Sequence, residues 1–398
     1  MCYNHVVGYT GVSALYHGAG EALERSSDYM KGALTLAKLA LGSTSPNPAV
    51  GCMIVKGGLV VGMGHTQPPG SWHAEVMALQ QAGPKAHGAA MYVTLEPCCH
   101  YGRTPPCTEA IINAGVEEVH VAAIDPNPVV SGKGLAALER AGVRVAAGEM
   151  EAEARDVNEA YIRYVTTGMP FVTVKLAMSI DGKIATRTGD SKWISGDDAR
   201  KWVHNLRHTV DAIMVGVNTV ITDDPHLTAR FSSGKGGKSR KQPLRIIVDA
   251  QGRTPATAQI FREPGNTVMA VTRPLDPARE DAFTKLGAEV LQLMPRSGEG
   301  QVDLQELLNE LGKRQITHVL VEGGGRLIGS LFDANLVDKL VIFIAPIIVG
   351  GAEAKSAIAG RGVDKVSNAF SLERMTVRRF GDDVMMSGYP IQRKTERD

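Results

Sequence analysis

Between residues 27 and 41 the apolar positions Met30, Leu34, Ala37 and Leu41 recur at three- and four-residue intervals, which lines them up on one helical face. Ser27 or Asp28 is available as a cap, and Pro46-Asn47-Pro48 breaks the pattern beyond the helix. Residues 50–55 and 59–64 are strand-length apolar runs joined across Lys56-Gly57-Gly58, a hairpin signal. Residues 73–82 read as a helix, 90–94 as a buried strand, 108–114 as the opening of another helix and 116–124 as a further strand. Strands alternating with helices predict an α/β layered domain.

A polar, acidic helix over 149–164 then runs into Thr166-Thr167-Gly168-Met169-Pro170, a Gly/Pro break that marks the domain boundary. New strand-like runs follow at 171–177, 212–216, 244–249, 267–272, 317–322 and 339–348. Helical stretches such as 197–207 and 303–313 lie between them. The second half is therefore a separate α/β domain. The organisation predicted is an extension over 1–26, a first domain over 27–168 and a second over 169–398. Residues 232–241 form a basic, glycine-rich stretch that reads as a solvated loop rather than a phosphate site.

At 398 residues the chain is long enough for two or three domains. A net charge of +1 excludes any strong electrostatic case for a nucleic-acid or membrane-surface partner. No run approaches the roughly 20 apolar residues of a membrane span. The first 25 residues lack a basic start and a sustained apolar core, which argues against a signal peptide and for the cytoplasm. Of five cysteines, Cys98, Cys99 and Cys107 cluster, and in that compartment clustering points to metal rather than disulfides.

The chemistry concentrates at His73-Ala74-Glu75 and at the segment from Glu96 to Cys107. Together they offer one imidazole, two thiolates and a carboxylate. Three protein ligands leave a zinc ion one open position, the mark of a catalytic site, and a carboxylate that is not a ligand can move protons there. The zinc nucleobase deaminases use such a set: H-x-E, P-C, then a second Cys. His73, Cys98 and Cys107 are the candidate ligands and Glu75 the candidate acid/base. Cys99 or His100 could instead complete a closed structural site, although that leaves Glu75 unexplained. Eight residues separate Cys98 from Cys107, against two in the usual motif. The inserted loop carries His100 and Arg103, suited to a phosphate or other polar group. One alternative is an RNA or free-nucleoside deaminase with a decayed second domain, but a tRNA deaminase should show a basic face and the short C-x-x-C, which the net charge of +1 and the eight-residue gap oppose. His65, His87 and His120 have no chemical neighbours in sequence and read as surface or packing residues.

The strings PNPAVG (46–51), HAE (73–75), TLEPCCHYGRTPPC (94–107) and DPNP (125–128) resemble those of the bacterial bifunctional riboflavin-biosynthesis deaminase/reductase family. That family usually has Ser where this chain has Cys99. VKLAMSIDGKIA (174–185), SKWIS (191–195), VGVNTVITDDPHLTAR (215–230) and VEGGGRL (321–327) resemble its reductase domain. The resemblance runs from about residue 27 to the C-terminus. It implies a cytidine-deaminase-like zinc domain followed by a dihydrofolate-reductase-like domain, both α/β. It further implies zinc on His73, Cys98 and Cys107, with Glu75 as proton shuttle and Asn47, His100, Arg103, Asp125 and Asn127 as substrate contacts. In the second domain, Ala177, Trp193, Thr219, Asp223, Ala250, Gly324, Gly325, Arg326, Leu327, Ile328, Gly329 and Ser330 would line the NADPH. Ser191, Arg207, Leu227, Arg230 and Glu322 would hold the substrate, with Lys175 and Asp181 as lesser candidates. The two arginines suit a phosphoribosyl dianion. The turn at Gly323–Ser330 follows a strand and opens a helix, as a pyrophosphate site does, yet its spacing is not GxGxxG and no βαβ unit of the Rossmann kind surrounds it. Arg273 could pair a 2′-phosphate. The partner expected is a small phosphoribosyl pyrimidine and the assembly a homo-oligomer.

Overall fold

Alanine, leucine and methionine fill one face of helix α1 (Ser26–Ala40), so that Met30, Ala33, Leu34, Leu36, Ala37 and Ala40 are buried. The structure, a computed structural model, describes residues 26–229, 242–296 and 300–392. The expected extension over 1–26, except Ser26, and the basic loop at 232–241 lie outside them. Two compact units part between Thr166 and Thr167.

In the first unit, α1 is followed by β1 (Gly51–Lys56), β2 (Leu59–His65), α2 (Ala74–Ala82), β3 (Ala90–Leu95), α3 (Cys107–Asn113) and β4 (Glu118–Ala123). Then come α4 (Lys133–Arg140), β5 (Arg144–Ala147), α5 (Glu151–Val157) and α6 (Glu159–Thr167). The sheet order is β2-β1-β3-β4-β5, with β1 antiparallel to both neighbours and β3, β4 and β5 parallel. The β1–β2 turn uses Gly57 and Gly58 at φ 57° and 78°, values that favour glycine. Gly64 in β2 is required for packing: a Cβ there would lie 2.2 Å from the carbonyl oxygen of Ala74. Glycine lets the first turn of α2 sit directly on the strand.

One helix was expected over 149–164, but the structure breaks it at Asn158. The side chain of Asn158 accepts a hydrogen bond from Ala49 N (2.8 Å) and donates one to Ala49 O (3.0 Å). Tying down a buried loop outweighs helical continuity here.

The second unit contains β6 (Phe171–Ser179), β7 (Lys183–Ala185), α7 (Asp197–Thr209), β8 (Ala212–Gly216), α8 (Val217–Asp223), β9 (Leu244–Val248) and β10 (Thr267–Val271). It continues through α9 (Pro277–Lys285), β11 (Ala288–Gln292), α10 (Leu304–Lys313), β12 (His318–Glu322), α11 (Gly325–Asp333), β13 (Lys339–Ala345), β14 (Lys355–Ser356), β15 (Phe370–Phe380) and β16 (Asp383–Gln392). Nine strands form one sheet in the order β11-β10-β9-β8-β12-β6-β13-β16-β15. The first seven are parallel and the last two antiparallel. In such sheets ligands gather beyond the carboxyl ends of the strands. The glycine turn after β12 lies in a parallel crossover from β12 through α11 to β13. Strands β12 and β13 run parallel to β6 on either side of it, joined by α11. The intervening strand hides the crossover from a sequence reading. Among the described residues no helix is long and apolar enough to cross a membrane.

Candidate active sites

Strands β3 and β4 are parallel neighbours, with Leu95 beside Ala123, so the loops leaving their carboxyl ends emerge together. One carries Cys98 and the other Asp125. His73 sits in extended backbone (φ −77°, ψ 165°) as the residue preceding α2, and Glu75 lies in that helix's first turn. Cys107 is the first residue of α3, and its backbone N–H donates to Cys98 Sγ at 3.3 Å. His73 Nδ1 lies 3.6 Å from Cys98 Sγ and 3.3 Å from Cys107 Sγ. All three ligand atoms fall within 4.8 Å of one another.

This donor set, one imidazole nitrogen and two sulfurs with room for an exogenous fourth ligand, fits zinc. Electrostatics agree. The hydrogen bond from Cys107 pulls the Cys98 thiol down to about 4 against the effect of burial, with His73 assisting. The thiol–thiol hydrogen bond between the two cysteines, together with burial, pushes Cys107 up. His73 is raised by its hydrogen bond with Cys98. Glu75 is only 4% exposed, and burial followed by the nearby Cys98 charge raises its carboxyl to about 7. A carboxyl that titrates near neutrality is suited to carrying a proton both ways. Neither Cys99 nor His100 joins the cluster among the described residues.

The other residues expected around this centre divide. Asp125 is buried, and both its oxygens accept from Tyr161 OH at 3.1 Å. Its Oδ1 also accepts from Asn127 N at 2.9 Å. The side-chain oxygen of Asn127 accepts from Val129 N (3.1 Å), so this residue makes its own turn as well as facing the loop. Asn47 is half-buried two residues before the clasped Ala49, while His100 and Arg103 are exposed on the inserted loop. Tyr161 and Asn158 escaped the sequence reading. Each acts on a loop far away along the chain, and the only local signal was a polar residue interrupting an acidic helix. His120 stacks on Tyr92 with ring centroids 4.4 Å apart, a packing role as expected.

In the second unit Glu322 ends β12, the glycine turn follows it, and Thr219 and Ala250 follow β8 and β9, all at the carboxyl ends of parallel strands. Gly323 and Gly324 adopt φ 82° and 83°, a left-handed pair that leads into α11. A Cβ on Gly324 would lie 3.2 Å from Thr219 Oγ1, so Thr219 borders this turn. Along α11, Arg326 is exposed and Ser330 half-buried. Leu327 and Ile328 belong to the apolar core, leaving their backbone rather than their side chains for a ligand. Gly325 and Gly329 face the segment 356–360: a Cβ on Gly329 would fall 1.3 Å from Ala359 O. Ala177 is half-buried near the end of β6, and Ala250 follows β9, its carbonyl accepting from Thr272 Oγ1 at 2.9 Å. Ser191 Oγ donates to Asp223 Oδ1 at 2.7 Å, which joins an expected substrate residue to an expected cofactor residue. Trp193 is 72% exposed, and the Arg200 guanidinium stacks over its ring at 4.5 Å. Leu227 is buried at φ 50°, and Arg230 lies outside the described residues.

Arg207 differs from the expectation of an open guanidinium fork. It is engaged bidentately by Glu322, with Nε to Oε1 at 2.6 Å and Nη2 to Oε2 at 2.9 Å. Its Nη1 donates to Thr228 O at 3.0 Å. The pair is 14% and 11% exposed, a buried ion pair rather than a surface one. Burial raises the Glu322 carboxyl, but Arg207 and then Lys175 reverse this and leave it below its ordinary value. Lys175, beside Glu322 in register, is lowered by burial despite Glu322. Asp181 accepts from Val349 N (3.1 Å) and Gly350 N (2.8 Å), and a hydrogen bond from Ser179, followed by these two, holds its carboxyl down at about 2.

A zinc-type deaminase centre on one α/β unit and a nucleotide-type glycine turn on a second define a two-domain deaminase fused to a reductase. Comparison with known proteins agrees. Residues 23–123 match the cytidine and deoxycytidylate deaminase zinc-binding region, and residues 170–386 match the RibD C-terminal domain. The riboflavin biosynthesis protein RibD of Aquifex aeolicus is 43% identical over 91% of this chain and 98% of its own length. That of Escherichia coli is 41% identical over 90% and 97%. The structure of Acinetobacter baumannii RibD superposes with a TM-score of 0.82 at 38% identity, over 92% of this chain and 99% of the other. A diaminohydroxyphosphoribosylaminopyrimidine deaminase/5-amino-6-(5-phosphoribosylamino)uracil reductase from Thermotoga maritima gives 0.79 at 33%, over 92% and 98%. The chain belongs to the RibD family, the bifunctional deaminase/reductases of riboflavin biosynthesis. Its first domain is of the zinc-binding kind and its reductase domain is NADPH-dependent.

Proposed function

We propose that the first unit removes the exocyclic amine of 2,5-diamino-6-(5-phosphoribosylamino)pyrimidin-4-one as ammonia, and that the second reduces the ribosyl chain of the product to ribityl. The observation that carries this reading is the convergence of His73, Cys98 and Cys107 beside the buried carboxyl of Glu75. His73, Cys98 and Cys107 would hold zinc, which when bound supplies Lewis acidity that eases ionisation of water near neutral pH. Glu75 takes the proton from the attacking water on its carboxylate and delivers it to the departing amine nitrogen. Asn47, His100, Arg103, Asp125 and Asn127 orient the pyrimidine and its phosphoribosyl group.

In the second unit the hydride comes from NADPH, so the protein's task is binding and orientation. Gly324, Gly325 and the first turn of α11 approach the cofactor through backbone N–H groups, flanked by Thr219, Asp223, Ala250, Ala177 and Trp193. Ser191, Leu227, Arg230 and the Arg207–Glu322 pair border the substrate. Because Arg207 is engaged by Glu322, its part is to fix Glu322 and the Thr228 backbone, leaving the phosphate to Arg230 and neighbouring groups. The deaminase domain spans 27–168 and the reductase domain 169–398 in this reading, and the enzyme works in the cytoplasm on small molecules, without nucleic acid or membrane. We infer a homo-oligomer from β15, an eleven-residue edge strand with Met375 53% and Val377 60% exposed.

Chelation separates the two activities. Zinc-stripped protein is expected to lose ammonia release from the diaminopyrimidine while still oxidising NADPH with the deaminated product. Unchanged ammonia release after stripping, or loss of both activities in protein that stays folded, would overturn the assignment.

A further inference from the structure

Glu96, the last residue before Pro97-Cys98, is only 4% exposed, and backbone amides of a distant loop meet its carboxylate. Oε2 accepts from Asp125 N at 3.2 Å and from Gly132 N at 2.9 Å, and Oε1 accepts from Gly134 N at 2.8 Å. Its own backbone N–H donates to Ala123 O at 2.9 Å. The contact is close at the far end too: a Cβ on Gly134 would lie 2.2 Å from Pro97 O. Both ends of residues 125–134 therefore hang from one side chain, which stands two residues from a zinc-ligand position. Asp125 and Asn127 lie within the span so fixed. Three amide donors converging on one buried carboxylate are stronger than neutral bonds and hold a loop in one register.

We propose that Glu96 is a positioning residue for deamination. It fixes the loop at 125–134 against the Cys98 segment and so sets where Asp125 and Asn127 meet the substrate. The proposal rests on the reading that these two residues touch the phosphoribosyl pyrimidine. Glutamine is the informative replacement. It matches glutamate in size, yet it loses the charge and turns an N–H₂ toward a backbone donor, so at least one of the three bonds is lost.

The test uses the full, zinc-loaded chain carrying Glu96→Gln, Asn127→Ala, or both. The expected E96Q protein keeps the wild-type zinc-to-protein ratio and its NADPH-dependent turnover of deaminated product. Its KM for deamination rises by about tenfold or more while kcat changes far less. Added to N127A, E96Q weakens deamination by no more than about twofold, because both changes act through one loop. Loss of zinc, failure to fold, an unchanged KM or fully additive effects would each overturn the proposal. A normal E96Q beside a weakened N127A removes the proposal alone. A normal N127A removes the substrate-contact reading and the proposal with it.

Discussion

Glu75 shows how much chemistry a single residue draws from its surroundings. In solution its carboxyl would be ionised at neutral pH, whereas burial in the first turn of α2, close to Cys98, raises it to about 7. Replacing it with glutamine preserves the packing and removes only the proton carrier. Glu75→Gln is expected to retain zinc and NADPH-dependent turnover of the deaminated product, while deamination falls by about 10²–10⁴-fold. Parallel kinetics and metal analysis check this. The convergence of His73, Cys98 and Cys107 was legible because a candidate ligand set is written in short strings: H-x-E, then P-C and a second Cys. Tyr161 was not legible, since its partner Asp125 stands 36 residues earlier and nothing in an acidic helix announces it. The ion pair of Arg207 was not legible, because its bidentate partner Glu322 is 115 residues away.

At the level of elements, helix α2 reaches the candidate metal cluster of His73, Cys98 and Cys107 only because Gly64 admits it. Gly64→Ala sets a methyl group 2.2 Å from Ala74 O, one residue from His73. The expected result is a loss of about 1–3 kcal/mol from the first unit's unfolding free energy and weaker zinc retention, read by denaturant titration and metal content. In the second unit β12 and α7 are joined by the Glu322–Arg207 pair. The folded-state carboxyl of Glu322 is depressed, so its contribution is present above the ordinary carboxylate value of about 4.3 and is lost as pH falls through its lower folded value. Wild-type stability is therefore expected to drop across that acid range, and Glu322→Gln to show less of the drop. The variant should start about 3–5 kcal/mol lower at neutral pH, because Arg207 is left buried and unpaired. Thermal melts against pH check the sign. Apolar runs such as 212–216 and 339–348 announced their strands, as an inner parallel sheet requires. Strand β15 was invisible to the same reading, since Glu373, Arg374, Arg378 and Arg379 break up its apolar pattern. The short β5 and the helix α4 were missed likewise.

For the whole molecule, the order of the two units follows the order of two consecutive reactions on one substrate. Both fold classes could be read from the chain, because each half carries its own strings and its own strand–helix alternation. How the nine strands of the second sheet are ordered could not, since pairing such as β12 with β6 joins residues far apart in sequence. The most direct measurement is a single-tube assay of the zinc-loaded chain with the diaminopyrimidine ribosyl phosphate and NADPH, following ammonia and reduced-nicotinamide absorbance together. The account predicts ammonia first, then oxidation of about one NADPH per ammonia, with Glu75→Gln silent in both signals on this substrate and oxidising NADPH, without ammonia, when the deaminated product is supplied. NADPH oxidation by Glu75→Gln on the original substrate, or ammonia release with no oxidation in the wild type, would contradict it.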